Sequence, residues 1–264
     1  MKRIFLFGIL PFILGLAASW LRAGELAFVF DYASGLPSNP MWYTPALSAL
    51  VVICMVLFFI FALRFKHAEP HGNASPVLMP AACASFCILF TFSGYELYLY
   101  TQTREITSLI FGILTLLCSI SQLFLGIKRL EMRDGTVYNM FAAIPVFWAC
   151  YALILIFRQR ISDPIISDYF YMLLAFVCIL IFAYAQCAYV FGKNRQRIAI
   201  LTGALAVFFC AIELFAPLFA GVLSPDSFFV RPTLEECAPL AAFLIYIPFS
   251  LEEMLRNANH VGLK

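Results

Sequence analysis

The sequence predicts an all-α fold: a polytopic transmembrane bundle of about eight spans, built as one integral membrane domain over residues 1–264. Three observations carry that expectation. Hydrophobic residues make up 63% of the chain and charged residues 12%, with a mean hydropathy of +0.92, whereas a soluble domain carries about 25% charged residues. The apolar residues gather into runs close to the ~20 residues that cross ~30 Å of hydrocarbon as a helix. The breaks between runs hold most of the charges, and their basic residues alternate so as to give one consistent topology.

The first span is expected over 4–21, between Lys2-Arg3 and Arg22. A basic start, an apolar centre and small residues at Ala17-Ala18-Ser19 also fit a secretory signal. The run exceeds the usual ~7–15 residues and lacks a clean Ala-x-Ala site, so a retained span and a cleaved signal both stand. Glu25, Asp31 and Ser34-Gly-Leu-Pro-Ser-Asn-Pro40 predict an external loop from Ala23 to Met41. Trp42-Tyr43, an aromatic pair suited to the headgroup level, opens the second span at 42–63. Ser75-Pro76 then provides an N-cap with proline at the first helical position, and the third span follows over 76–100. Its first half is rich in small residues from Ala81 to Cys87, which lets neighbouring helices approach closely.

The fourth span, 107–127, follows a short turn at Gln102 to Glu105. The fifth, 137–157, carries Pro145 and Trp148 near its middle, a combination expected to kink it and open a gap. The sixth, 164–192, is longer than the bilayer requires and implies tilt. The seventh, 198–223, carries Glu213. The eighth, 234–255, begins behind the capping-box pattern of Thr233 and Glu236 and contains Pro248.

A cytoplasmic N-terminus places 12 of the 17 Lys and Arg residues on the inside, leaving Arg22, Arg104, Arg158, Arg160 and Arg231 outside. The positive-inside rule therefore predicts a multi-pass protein of the cell membrane with both termini cytoplasmic. Eight of the 15 acids fall on the outer side, a mildly cation-attracting surface. Division into two sets of four spans sets Pro11 opposite Pro145 and Glu96-Leu-Tyr opposite Glu213-Leu-Phe, so a parallel four-plus-four repeat is one reading and chance similarity among apolar helices the other.

Glu96 and Glu213 are the acids well inside apolar runs, and an ionisable group at membrane depth usually faces a partner, a cavity or a pathway. Both spans run outward, so the two carboxylates are expected to share an outward-facing cavity. Tyr95, Tyr98, Trp148 and Tyr151 are the expected aromatic walls of a site for a cationic or protonatable substrate. The competing reading has Glu96 snorkelling to the headgroups and a protonated Glu213 hydrogen-bonding between helices. Gln122 and Gln186 read as interhelical hydrogen bonds. Cys83 and Cys87, one turn apart, read as packing, and the histidines (His67, His71, His260) form no zinc motif. Phosphate-loop and nucleophile-elbow signatures are absent, so catalysis is the less favoured class and neither cofactor nor metal is expected.

The expected partner is the lipid bilayer, with room for partner subunits or a homo-oligomer; no basic stripe points to nucleic acid. Transport, as a small permease or a transporter's membrane component, is the first reading. A non-transporting sensor, assembly factor or scaffold is the second, and an intramembrane enzyme acting on lipid is the third.

Overall fold

A computed structural model of the chain describes residues 8–29, 42–64, 78–128, 136–160, 166–193, 195–223 and 234–257. Among these residues the protein is entirely helical: α1 (Leu10–Phe28), α2 (Tyr43–Arg64), α3 (Leu78–Thr103), α4 (Ile106–Lys128), α5 (Thr136–Arg160), α6 (Ile166–Val190), α7 (Gln196–Leu223) and α8 (Leu234–Asn257). Seven of the eight, α2 to α8, are long and apolar enough to cross a membrane. The fold is a helical membrane bundle, as the apolar runs require. Both capping patterns, the signal-like start before Gly8 and the three histidines lie outside the described residues.

The largest departure from the sequence expectation is at α1. The helix does not stop at Leu21 but continues to Phe28, so residues assigned to an external loop are helical. The cause is a buried ion pair. Arg22 Nη1 lies 2.6 Å from Glu25 Oε2, one turn on, and Thr44 on α2 donates a 2.8 Å hydrogen bond to Glu25 Oε1. A charge that would break a lone apolar helix is thereby compensated. At the other end of the hairpin pair, α3 runs three residues past the expected Tyr100, leaving only Arg104 and Glu105 between α3 and α4.

Six helices close into a ring. From α3 to α8 each helix packs on the next in the chain, and α3 packs on α8 to complete the circuit. The α1–α2 pair sits outside it, held on α7. That places α7 between two packing partners on either side, and the stretch from Thr202 to Ile212 is buried without interruption. Small residues make the close crossings feasible. A Cβ on Gly15 of α1 would stand 2.6 Å from the Ala211 Cβ and 2.8 Å from the Phe208 carbonyl oxygen of α7, and one on Gly126 of α4 would stand 2.5 Å from the Ala82 Cβ of α3.

By contrast α2 buries one stripe, Leu47, Val51, Cys54, Phe58 and Ala62, and shows the rest of its apolar surface, as a lipid-facing helix does. The pairs α1–α2 with α5–α6, and α3–α4 with α7–α8, correspond under a four-plus-four division, but α1–α7, α3–α8 and α6–α7 have no counterparts among the described residues. The packing divides the chain two plus six.

The middle of the ring is filled by aromatic rings. Trp148 on α5 is fully buried, stacks on Phe243 of α8 at 5.2 Å, and lies within 6.2 Å of Phe111 on α4 and 6.1 Å of Phe176 on α6. Its indole N–H donates to Thr115 Oγ1 at 2.9 Å. Where Pro145 and Trp148 were expected to open a gap, the indole fills one.

Candidate functional site

At the α3–α4 turn the ring opens into a cavity of about 200 Å³. Glu96 lies on its wall, 3% exposed, seven residues before the end of α3. At 1.5 Å per residue that is roughly 10 Å below the helix end. Gly112 on α4 allows the close approach here: a Cβ there would stand 3.1 Å from the Leu97 side chain and 3.2 Å from the Glu96 Cβ. The hydroxyl residues Thr107 and Ser108 of α4 line the cavity, Phe111 and Phe176 give it aromatic walls, and Glu105 and Gln159 stand exposed at its mouth. Arg104 holds the rim in a left-handed conformation (φ 60°), its N–H donating to the Tyr100 carbonyl at 2.9 Å. Two carboxylates, three hydroxyls and two aromatic rings line one small volume. Such a lining offers a positive charge both a counter-ion and a cation–π surface.

Of the residues expected to form a site, the cavity contains Glu96 alone. Tyr95 and Tyr98 are exposed on the outer surface of α3, because neighbouring residues turn by about 100° each around a helix and cannot share the face of Glu96. Trp148 is the aromatic plug below the cavity. Tyr151 stands beside it, half-buried, 6.2 Å from Phe111, with its hydroxyl 3.4 Å from the carbonyl of the lining residue Thr107.

Glu213 is elsewhere. It is half-buried on α7, and the Tyr171 hydroxyl lies within electrostatic range of Glu213, Arg22 and Glu25 together. The Arg22 guanidinium carbon sits 5.3 Å over the Tyr171 ring. The expected shared cavity is thus two separate polar places, one inside the ring and one where α1 and α2 attach to it.

Sequence reasoning placed the two glutamines correctly: Ser85 donates to Gln122 Oε1 between α3 and α4, and Gln186 Nε2 donates to Tyr246 and Ser250 between α6 and α8. It missed Thr107 and Ser108, whose signal was their place at the start of the span following Glu105. It also missed Glu253, which lies within the expected eighth span and is 1% exposed. Among the described residues, no three His, Cys, Asp or Glu side chains are grouped to hold a metal ion.

The sequence matches no protein-family model, and no curated protein or solved structure is significantly similar to it.

Proposed function

We propose that this membrane protein binds a small organic ammonium ion in the Glu96 cavity and carries it across the membrane, as a small permease or as the membrane component of a larger transporter. The observation that supports this reading is a carboxylate almost wholly buried at membrane depth on the wall of a ring-end cavity. Keeping an acid there costs roughly 2.5 kcal/mol or more when charged, an expense usually found on pathways and binding sites. The volume suits a small ligand, since about 200 Å³ holds some seven waters at ~30 Å³ each. Phe111 and Phe176 favour an alkylated ammonium over a strongly hydrated metal ion. The basic residues assign this end to the outside, so Glu105 would meet the substrate first.

Tetramethylammonium, permanently charged and small, is the probe. Added at about 100 times its Kd to purified protein in detergent, it should stabilise the fold by about 2.7 kcal/mol, seen as a raised melting temperature. Glu96→Gln keeps shape and hydrogen bonding but not charge, and should abolish the rise. A rise that survives in Glu96→Gln would remove the cavity from consideration.

The Trp148 plug supports a second reading, a sensor that binds without passage. Counterflow in proteoliposomes separates the two: a carrier exchanges labelled for unlabelled tetramethylammonium, and a sensor does not.

A further inference from the structure

Below the Trp148 stack, α8 presents Phe243, Tyr246, Ser250 and Glu253 at intervals of three, four and three residues, each at most 1% exposed. That spacing puts all four on one face of the helix. The face looks into the ring. Phe243 stacks on Trp148 of α5, while Gln186 of α6 donates to the Tyr246 hydroxyl at 2.6 Å and to Ser250 Oγ at 3.1 Å. α6 and α8 are separated by α7, so these side chains meet across the face of α7 inside the bundle. Gly203 of α7 keeps that face low, with Leu251, Ile247 and Phe182 filling the space a side chain would take.

Ser85 of α3 and Gln122 of α4, hydrogen-bonded and fully buried, lie seven residues from the start of α3 and six from the end of α4, and Ser250 lies seven residues from the end of α8. The far half of the ring therefore carries a polar layer, ending in a buried carboxylate, on the other side of the aromatic plug from Glu96.

We propose that the Tyr246–Ser250–Glu253 face is the second half of the cation path, with Glu253 receiving the ammonium ion once the Trp148 stack has let it pass. The inference rests on the Glu96 reading. It adds a two-site path, one carboxylate at each end of the ring and a hydrophobic barrier between them. Tyr246 and Ser250 supply oxygens at one-turn intervals over the roughly 15 Å from Phe243 to Glu253. An ion without its water shell needs such a succession of oxygens.

The test uses the full-length protein in proteoliposomes with radiolabelled tetramethylammonium, and measures equilibrium binding and uptake separately. Glu253→Gln should bind the probe at the Glu96 cavity with wild-type affinity and lose about tenfold or more of its uptake. Ser250→Ala, a smaller change that guards against misfolding of the first variant, should lower uptake without altering affinity. Wild-type uptake in both variants, alongside loss of binding in Glu96→Gln, would overturn the second site and leave the first standing. Wild-type binding in Glu96→Gln would overturn the cavity itself, and this inference with it.

Discussion

Arg22 and Glu25 show how strongly a single pairing decides local structure in lipid. Each is almost wholly buried and offsets the other's charge at 2.6 Å, with Thr44 donating to Glu25 and the Tyr171 ring lying under Arg22. Removing one partner leaves the other as a buried charge, which costs about 3–5 kcal/mol, whereas replacing both by apolar residues of similar volume is often neutral. Arg22→Met should therefore lower the thermal stability of the detergent-solubilised protein sharply, and Glu25→Leu added to it should restore most of the loss. Additive losses in the double variant would mean that the two side chains do not act as a pair. This contact could not be read from the sequence, where an arginine and a glutamate after an apolar run look like its end. The compensation exists only because the helix continues and brings α2 alongside. Glu96 was legible for the opposite reason, as an acid within an apolar run announces itself without any partner. Its company was not, because the tyrosines beside it in sequence face elsewhere and the residues around it come from three other helices.

At the scale of a helix, lengths and positions followed from hydropathy to within a few residues for α2 to α8, since a lipid-crossing helix needs only length and apolarity. Which face each helix buries did not follow, because lipid is as apolar as the core and leaves no polar stripe to read. Small residues are the surviving signal. Gly15 and Gly94 look alike in sequence, yet Gly15 is pressed onto α7 and Gly94 has nothing within 4 Å of the place a Cβ would occupy. Gly15→Ala should destabilise the protein by about 1–3 kcal/mol through overpacking against Ala211 and the Phe208 carbonyl. Gly94→Ala should instead stabilise α3 by about 0.5–1 kcal/mol, the usual gain for a helix interior. Melting temperatures of the two variants measure this directly, and an unchanged or raised value for Gly15→Ala would contradict the packing of α1 on α7.

At the scale of the whole molecule, the described residues form a closed ring of six helices with a two-helix appendage, and this arrangement gives the carboxylates different meanings. Glu96 belongs to the ring and lines its cavity, while Glu213 lies on the outer side of the same bundle with Tyr171 and the α1 ion pair. In sequence the two were equivalent, each an acid in an apolar span, and the halves of the chain even matched around them. Only the closure of α3 on α8 separates them. The affinity for tetramethylammonium, measured by titration calorimetry on wild type, Glu96→Gln and Glu213→Gln, therefore decides which carboxylate holds the ion. Binding is expected to be about tenfold or more weaker in Glu96→Gln and unchanged in Glu213→Gln. Binding lost in Glu213→Gln and kept in Glu96→Gln would contradict the Glu96 site.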